Sequence, residues 1–201
     1  MSIRNSSTRW GSLSQMLHWL IVAMICVQVT LALTAKELHP GHTRLALIGY
    51  HKSIGATILA LAVIRLVWRW MNPVPALPDS LKPYEKGLAR FTHAALYVIL
   101  FAMPLSGWIG SSAHAFPVRW FNLFTLPALV GKNLVLSSDM GKVHYAFAIL
   151  LGAVVVLHIA AALKHHFVLK DGTLLRMLPV GKAAHPHEMS SREPAKRTPG
   201  V

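Results

Sequence analysis

The chain has 201 residues, 54% of them hydrophobic, and a formal net charge of +13 at pH 7. Its apolar residues fall in four blocks, at residues 13–35, 46–70, 91–110 and 143–163, and each block is about long enough to cross a ~30 Å hydrocarbon core. The positive charge lies in loops and tails beside these blocks, so we expect anionic membrane lipid as its partner and no nucleic acid. Composition therefore predicts an all-α, integral membrane four-helix bundle without a second domain.

The first block has the outline of a signal peptide, because Arg4 and Arg9 precede it and it ends at the small residue Ala35. Its apolar run is longer than the usual run of about 7–15 residues, and Leu33 is large for a cleavage site. We therefore expect this block to remain as the first membrane span.

The segments between and after the blocks are predicted to be connectors and tails. Three prolines in the run 72–78 end the second span and indicate an extended connector. The loop 111–142 is the longest and carries aromatic residues, which suit a membrane interface. After Pro179 the chain turns polar, so we expect residues 1–180 to form one transmembrane domain and residues 181–201 a disordered cytoplasmic tail.

The basic residues predict the orientation of the chain. With four spans both termini lie on one side, and that side holds all but six of the 20 Lys and Arg residues. The positive-inside rule therefore predicts that both termini are cytoplasmic. The six basic residues on the other side are Lys36, Arg44, Lys52, Arg119, Lys132 and Lys142.

His144 and His158, in the fourth block, are the most informative residues of the sequence. Fourteen residues of helix bring them to nearly the same face, about 21 Å apart. Placed by depth, His51 matches His144 at the outer level and His18 matches His158 at the inner level. Two imidazole pairs on facing helices suit two six-coordinate haem irons. Because Cys26 is the only cysteine, covalent haem attachment through two cysteines is excluded, and the haems are predicted to be of b type.

Two plainer interpretations of these histidines exist. A single histidine inside a membrane often only donates a hydrogen bond between helices, but four of them at matched depths are hard to obtain in that way. Zinc takes three or four ligands that converge on one point, whereas a separation of about 21 Å requires two centres. The haem interpretation therefore explains more of the pattern, and Gly55, one turn below His51, would leave room for a porphyrin edge.

Further polar residues lie near the inner level. His93, His165 and His166 are candidates to hydrogen-bond a quinone carbonyl or to supply its protons. Arg65 follows His51 by fourteen residues and so faces the same way at inner depth. It is a candidate partner for a haem propionate, and snorkelling to the headgroups is the alternative.

Four basic residues on the outer side would attract a small anion such as superoxide toward the outer haem. For the last two of them, an ordinary solvated loop lysine is an equally good interpretation. They are Lys52, Arg119, Lys132 and Lys142.

At its histidines and in the run after the fourth block, the chain resembles the bacterial cytochrome b561 family of four-helix dihaem membrane proteins. The resemblance covers residues 9–180 and is specific at the histidines and at the closing run. The matching segments are His18-Trp19-Leu20, the run from His51 to Gly55, His93, the pair His144 and His158, and the closing run from Lys164 to Pro179.

The resemblance implies His18, His51, His144 and His158 as axial ligands of two haem b groups in a bacterial inner membrane. It also implies electron transfer between a periplasmic haem and membrane quinone. One branch of the family oxidises superoxide and reduces ubiquinone, so ubiquinone is the expected electron acceptor. Bis-histidine ligation leaves no open iron position, which favours electron transfer over oxygen activation.

Three functions are compatible with the sequence. The first is a superoxide:quinone oxidoreductase, and the second is a membrane anchor that passes electrons between quinone and a periplasmic or membrane redox partner, as the cytochrome b subunits of hydrogenases and formate dehydrogenases do. The third is a non-redox membrane protein. No soluble catalytic domain is present in the sequence, so the first two require an external electron donor.

Overall fold

Four long helices contain most of the described residues, and the computed structural model describes residues 2–77 and 81–179. The prediction of an all-α four-helix membrane protein is confirmed. The predicted disordered tail, residues 181–201, lies outside the described residues. The helices are α1 (Ser12–Glu37), α2 (His42–Trp70), α3 (Pro83–Ala113) and α4 (Leu134–Leu163), and α4 continues into a π-helical turn (Lys164–Leu169).

α3 and α4 begin before their apolar blocks, and polar residues cap the start of both helices. α3 begins at Pro83, where proline needs no hydrogen-bond acceptor, and the Glu85 carboxylate accepts from the backbone N–H of Lys82 at 3.1 Å. α4 begins after Asn133, whose side-chain oxygen accepts from the backbone N–H of Leu136 at 3.0 Å. The apolar blocks predicted the four spans, whereas capping residues mark where α3 and α4 start.

The helices pack in a row that leaves one open side. α1 packs on α2, α2 on α3 and α3 on α4. Among the described residues, α4 brings no Cα atom within 8 Å of α1 or α2, although packed helices lie with axes only about 8–10 Å apart. A space therefore separates α4 from α1 and α2, and each helix is long and apolar enough to cross a membrane.

The outer loop between α3 and α4 folds back onto α2. Its short antiparallel hairpin consists of β1 (Arg119–Trp120) and β2 (Phe124–Thr125). The Ser53 hydroxyl donates to the carbonyl of Arg119 at 2.9 Å, and the Trp120 indole donates to the Thr57 hydroxyl at 2.9 Å. The hairpin is therefore held within two helical turns of His51.

The amino-terminal segment closes the opposite end. The Asn5 side-chain oxygen accepts from the backbone N–H of Gly11 at 2.9 Å and from the Ser14 hydroxyl at 2.7 Å, and the Asn5 amide donates to the carbonyl of Pro73 at 3.0 Å. Asn5 is buried, so all three bonds are shielded from water. This segment ties the start of α1 to the end of α2.

Candidate functional site

Four histidine side chains face one another across the space beside α4. His51 on α2 and His144 on α4 have ring centroids 6.1 Å apart, and His18 on α1 and His158 on α4 have centroids 6.3 Å apart. In both pairs the ring planes are inclined by 73°. The structure thus brings together the same two pairs that depth matching predicts.

The spacing of both pairs suits a metal between the rings. Two imidazoles bound through nitrogen to opposite sides of one metal, at about 2.0–2.1 Å each, have ring centres roughly 6.3 Å apart. Within residues 2–77 and 81–179, no group of three or more His, Cys, Asp or Glu side chains is placed to hold one metal ion. The helices that carry each pair do not pack on one another, so the two rings of each pair meet across a space between their helices.

At the outer pair, α3 fixes the orientation of the His144 ring. His144 Nδ1 lies 2.9 Å from the carbonyl oxygen of Met103, so this nitrogen carries the proton and donates it, and Nε2 keeps its lone pair. A Cβ atom added to Gly107 would lie 3.1 Å from both Nδ1 and Cε1 of His144. Glycine at position 107 therefore lets the ring lie directly against the α3 backbone.

The other member of the outer pair is supported through its backbone. The Gln28 amide on α1 donates to the carbonyl of His51 at 3.0 Å. Among the described residues, His51 Nδ1 and Gln28 Oε1 are buried without a hydrogen-bond partner, which is uncommon for buried polar atoms. A Cβ atom at Gly55 would lie 3.1 Å from the Gln28 amide nitrogen, so this glycine makes room for Gln28, a contact that the sequence pattern did not reveal.

The inner pair has a third histidine beside it. The centroid of the His93 ring on α3 lies 5.5 Å from that of His158, whereas the centroid of the His18 ring lies 6.3 Å from it. Arg65 on α2 donates from Nη1 to the carbonyl of Ser14 at 3.2 Å and lies near enough to all three imidazoles to act on them electrostatically. The inner end therefore gathers three histidines and one guanidinium.

The remaining quinone candidates separate after α4. His165 in the π-helical turn contacts Asp171 through Nδ1, at 2.5 Å from Oδ2. The His166 ring lies against Phe167, with centroids 4.7 Å apart. His165 thus has a carboxylate partner that spacing along the sequence did not identify. His166 instead contacts the ring of its neighbour Phe167.

Two of the outer basic residues, Lys52 and Lys142, make contacts with other side chains or with the backbone. The Lys52 ammonium donates to the Ser111 hydroxyl at 2.6 Å and to the carbonyl of Phe116 at 3.2 Å, and it lies over the Phe116 ring. Lys142 pairs with Asp139 at 3.0 Å. These contacts give both lysines structural roles in addition to their charge.

Two other cations flank a cavity that reaches the outer pair. This outer cavity has a volume of about 240 Å³ and lies between the end of α1 and the start of α2. Lys36 and Arg44 line it together with His51 and apolar side chains. Arg44 precedes His51 by two helical turns and so shares its face, which is the signal in the sequence that could have identified it.

Comparison with known proteins decides the family. The sequence model of the family described as "Prokaryotic cytochrome b561" matches residues 9–180. The chain belongs to the prokaryotic cytochrome b561 family. Membership implies haem b binding, electron transport and oxidoreductase chemistry in a transmembrane protein, and the four long apolar helices fit a bacterial inner membrane.

Three relatives cover most of their own length in the match. Cytochrome b561 homolog 2 of Escherichia coli K12 is 36% identical over 180 residues, which cover 89% of this chain and 95% of the relative. A protein of Yersinia pestis named "Probable superoxide oxidase CybB" is 30% identical over 81% of this chain and 92% of its own. Cytochrome b561 homolog 1 of E. coli K12 is 26% identical over 81% of this chain and 93% of its own.

Proposed function

We propose that this cytochrome b561 protein binds two haem b groups and carries electrons from the periplasmic face to membrane ubiquinone, acting as a superoxide:ubiquinone oxidoreductase. The observation that carries this proposal is the pair of imidazole pairs at 6.1 and 6.3 Å, on helices that do not pack together. In this proposal His51 and His144 hold the outer haem, and His18 and His158 hold the inner one.

The residues at both pairs suit haem chemistry. A haem held by two imidazoles supplies one-electron transfer without an open position for oxygen. The carbonyl of Met103 keeps the proton of His144 on Nδ1 and directs Nε2 into the space between the helices. At the inner pair, Arg65 has the charge and the position to neutralise a propionate while it also holds the Ser14 carbonyl.

On the outer side, the cavity between α1 and α2 suits a small anionic electron donor. Lys36 and Arg44 flank it and His51 lines it, so a negative charge would be drawn toward the proposed outer haem ligand. The name of the Yersinia pestis relative, "Probable superoxide oxidase CybB", agrees with superoxide as that anion. Oxidation of two superoxide ions to two oxygen molecules would release the two electrons that one quinone needs.

On the inner side, His93 and His165 are proposed to serve the quinone. His93 lies beside His158, where a quinone carbonyl could accept a hydrogen bond from the imidazole. His165 offers a second exchangeable proton at the end of α4. In this orientation both termini lie in the cytoplasm, as the positive-inside rule predicts, and the protons for the quinone come from that side.

The test is superoxide-driven reduction of ubiquinone by the purified protein. We expect one ubiquinol for every two superoxide ions consumed by the protein, after subtraction of spontaneous dismutation. His144→Ala should abolish this reaction, whereas His114→Ala, which alters an exposed histidine at the same end, should retain it. If superoxide reduces no haem in the absence of a partner protein, the superoxide function is wrong and the membrane-anchor function replaces it.

A further inference from the structure

The chain that follows α4 folds into a strap across the inner end of the bundle. We define the strap as residues 164–179. The π-helical turn Lys164–Leu169 ends at Lys170, which adopts left-handed backbone angles with φ 52°. This reversal brings Asp171 back onto His165, so that the Asp171 backbone N–H donates to the carbonyl of His165 at 3.3 Å.

The side chains of these two residues form the only His–carboxylate contact within salt-bridge distance among the described residues. His165 Nδ1 lies 2.5 Å from Asp171 Oδ2, and the backbone N–H of Thr173 donates to Asp171 Oδ1 at 2.9 Å. The side chains are 16% and 8% exposed, respectively. Both carboxylate oxygens are therefore occupied in a site that is largely shielded from water.

The strap is held against α1, next to the inner histidines. The Gln15 amide donates to the carbonyl of Arg176 at 3.0 Å, and the Trp19 indole donates to the carbonyl of Met177 at 2.9 Å. Trp19 directly follows His18, whose ring lies 5.2 Å from its own. The His165–Asp171 pair thus belongs to the same end of the molecule as the proposed inner haem.

The chemistry of the pair determines which imidazole nitrogen can exchange a proton. Burial alone would raise the pKa of the Asp171 carboxyl, but hydrogen bonds from Thr173 and His165 outweigh burial and hold that pKa below its ordinary value. An ionised carboxylate can only accept hydrogen bonds, so His165 must keep a proton on Nδ1. Nε2 is then the atom that gains and loses a proton, as in other carboxylate-oriented histidines.

We propose that Asp171 is a positioning residue that orients His165 to deliver protons from the cytoplasm to the quinone. This inference rests on the proposed reduction of quinone at the inner end. One quinone accepts two electrons, released by two superoxide ions, and two protons to become one quinol. His165 gives a proton from Nε2 to a quinone oxygen and regains one from cytoplasmic water, once for each of the two protons, while Asp171 stays ionised and keeps the Nδ1 proton in place.

The test compares two electron acceptors for the reduced protein. Ubiquinone takes up protons on reduction, whereas ferricyanide takes up electrons alone. In Asp171→Asn, the amide presents both a donor and an acceptor to His165 and no longer enforces one tautomer. We expect haem reoxidation by ubiquinone to slow at least ~10-fold, with the ferricyanide rate unchanged. Asp171→Glu, which retains a carboxylate, should recover part of the ubiquinone rate.

Two further variants separate this inference from the proposed function. Asp139→Asn makes the same substitution in an exposed ion pair at the outer end and should leave both rates unchanged. If His165→Ala slows the ubiquinone reaction but Asp171→Asn does not, the positioning role is wrong and the quinone site stands. If neither variant slows it, His165 has no role in quinone reduction, and His93→Ala then decides whether the quinone reacts at this end. Equal slowing with ferricyanide, or loss of haem from Asp171→Asn, would overturn the proposal by giving Asp171 a structural role.

Discussion

The outer and inner ends of the bundle hold similar imidazole pairs in different surroundings. The pairs share an inclination of 73° and nearly equal spacing. At the outer pair, His144 is fixed by a backbone carbonyl and rests on a glycine. At the inner pair, His158 has a third imidazole beside it, and a half-buried His–carboxylate pair lies in the adjoining strap.

In the proposed function, α4 contributes to two different steps at two depths, and the surroundings of each imidazole pair suit one of these steps. A fixed imidazole and flanking cations would serve the entry of electrons from a small anion, a step that needs no proton. Additional imidazoles with exchangeable protons would serve the reduction of a quinone, a step that needs two. In the proposed function, the surroundings of each pair thus indicate its substrate better than the pairs themselves do.

The largest effect expected from a single substitution concerns the outer pair. Gly107→Val should remove the outer haem and leave the inner one, because any Cβ at this position lies 3.1 Å from the His144 ring and the two γ-methyl groups of valine need still more space. Haem content and the reduced-minus-oxidised spectrum measure this outcome. Gly141→Ala, where an added Cβ meets no atom within 4 Å, is the matched control. Retention of both haems in Gly107→Val would show that the ring does not depend on this contact.

The inner end should respond differently to loss of one of its histidines. His93→Ala should slow haem reoxidation by ubiquinone at least ~10-fold, since a general acid typically contributes 10²–10⁴-fold, while both haem spectra stay near wild type. Stopped-flow oxidation by ubiquinone measures the rate, and His39→Ala, in the outer connector, is the control. Loss of the inner haem would instead make His93 a ligand in place of His18, because its ring is the nearer one to His158.

The features that the sequence predicted depend on the pattern along each helix and on the depth at which its residues lie in the membrane. Apolar length predicted the four helices, and a spacing of fourteen residues predicted that His144 and His158 share a face. The sequence did not predict three partners of the histidines, which are the carbonyl of Met103, the amide of Gln28 and the carboxylate of Asp171. Each of these contacts depends on how one segment packs or folds back on another, which residue spacing along a single helix does not determine.

A smaller effect is expected for the cations around the outer cavity. Lys36→Gln combined with Arg44→Gln should lower the rate of haem reduction by superoxide about two- to ten-fold and flatten its dependence on salt, since a ~10 Å Debye length at 0.1 M screens exposed charge. Stopped-flow reduction over a range of ionic strength measures both quantities. Lys132→Gln, an exposed loop residue, should change neither. An unaltered salt dependence in the double variant would exclude the cavity as the entry point.

Lys52 gives a contrasting expectation from the same side of the membrane. Its ammonium is already hydrogen-bonded to the end of α3 and to the outer loop. Lys52→Gln should therefore lower the temperature of haem release, with little change in the rate of reduction by superoxide. Thermal release followed by absorbance, alongside stopped-flow reduction, compares the two effects. A purely kinetic effect would return Lys52 to the role of steering the anion.

The smallest effect is expected at the hairpin above the outer pair. Trp120→Phe removes the hydrogen bond from the indole to the Thr57 hydroxyl, and a bond of this kind contributes about 0.5–1.5 kcal/mol. Thermal unfolding should show a correspondingly small loss of stability, with both haems retained. Trp70→Phe, at a tryptophan that is 75% exposed, should cost less. A larger loss in Trp70→Phe would contradict the role given to the hairpin.

The number of haems per chain tests the central claim most directly. Pyridine haemochrome assays against protein concentration should give two haem b per chain in the wild type. Alanine substitution of either proposed outer ligand, His51 or His144, should remove one haem, and substitution of either proposed inner ligand, His18 or His158, should remove the other, with a different spectrum lost in each case. One haem per chain in the wild type, or full haem content in all four variants, would contradict the account.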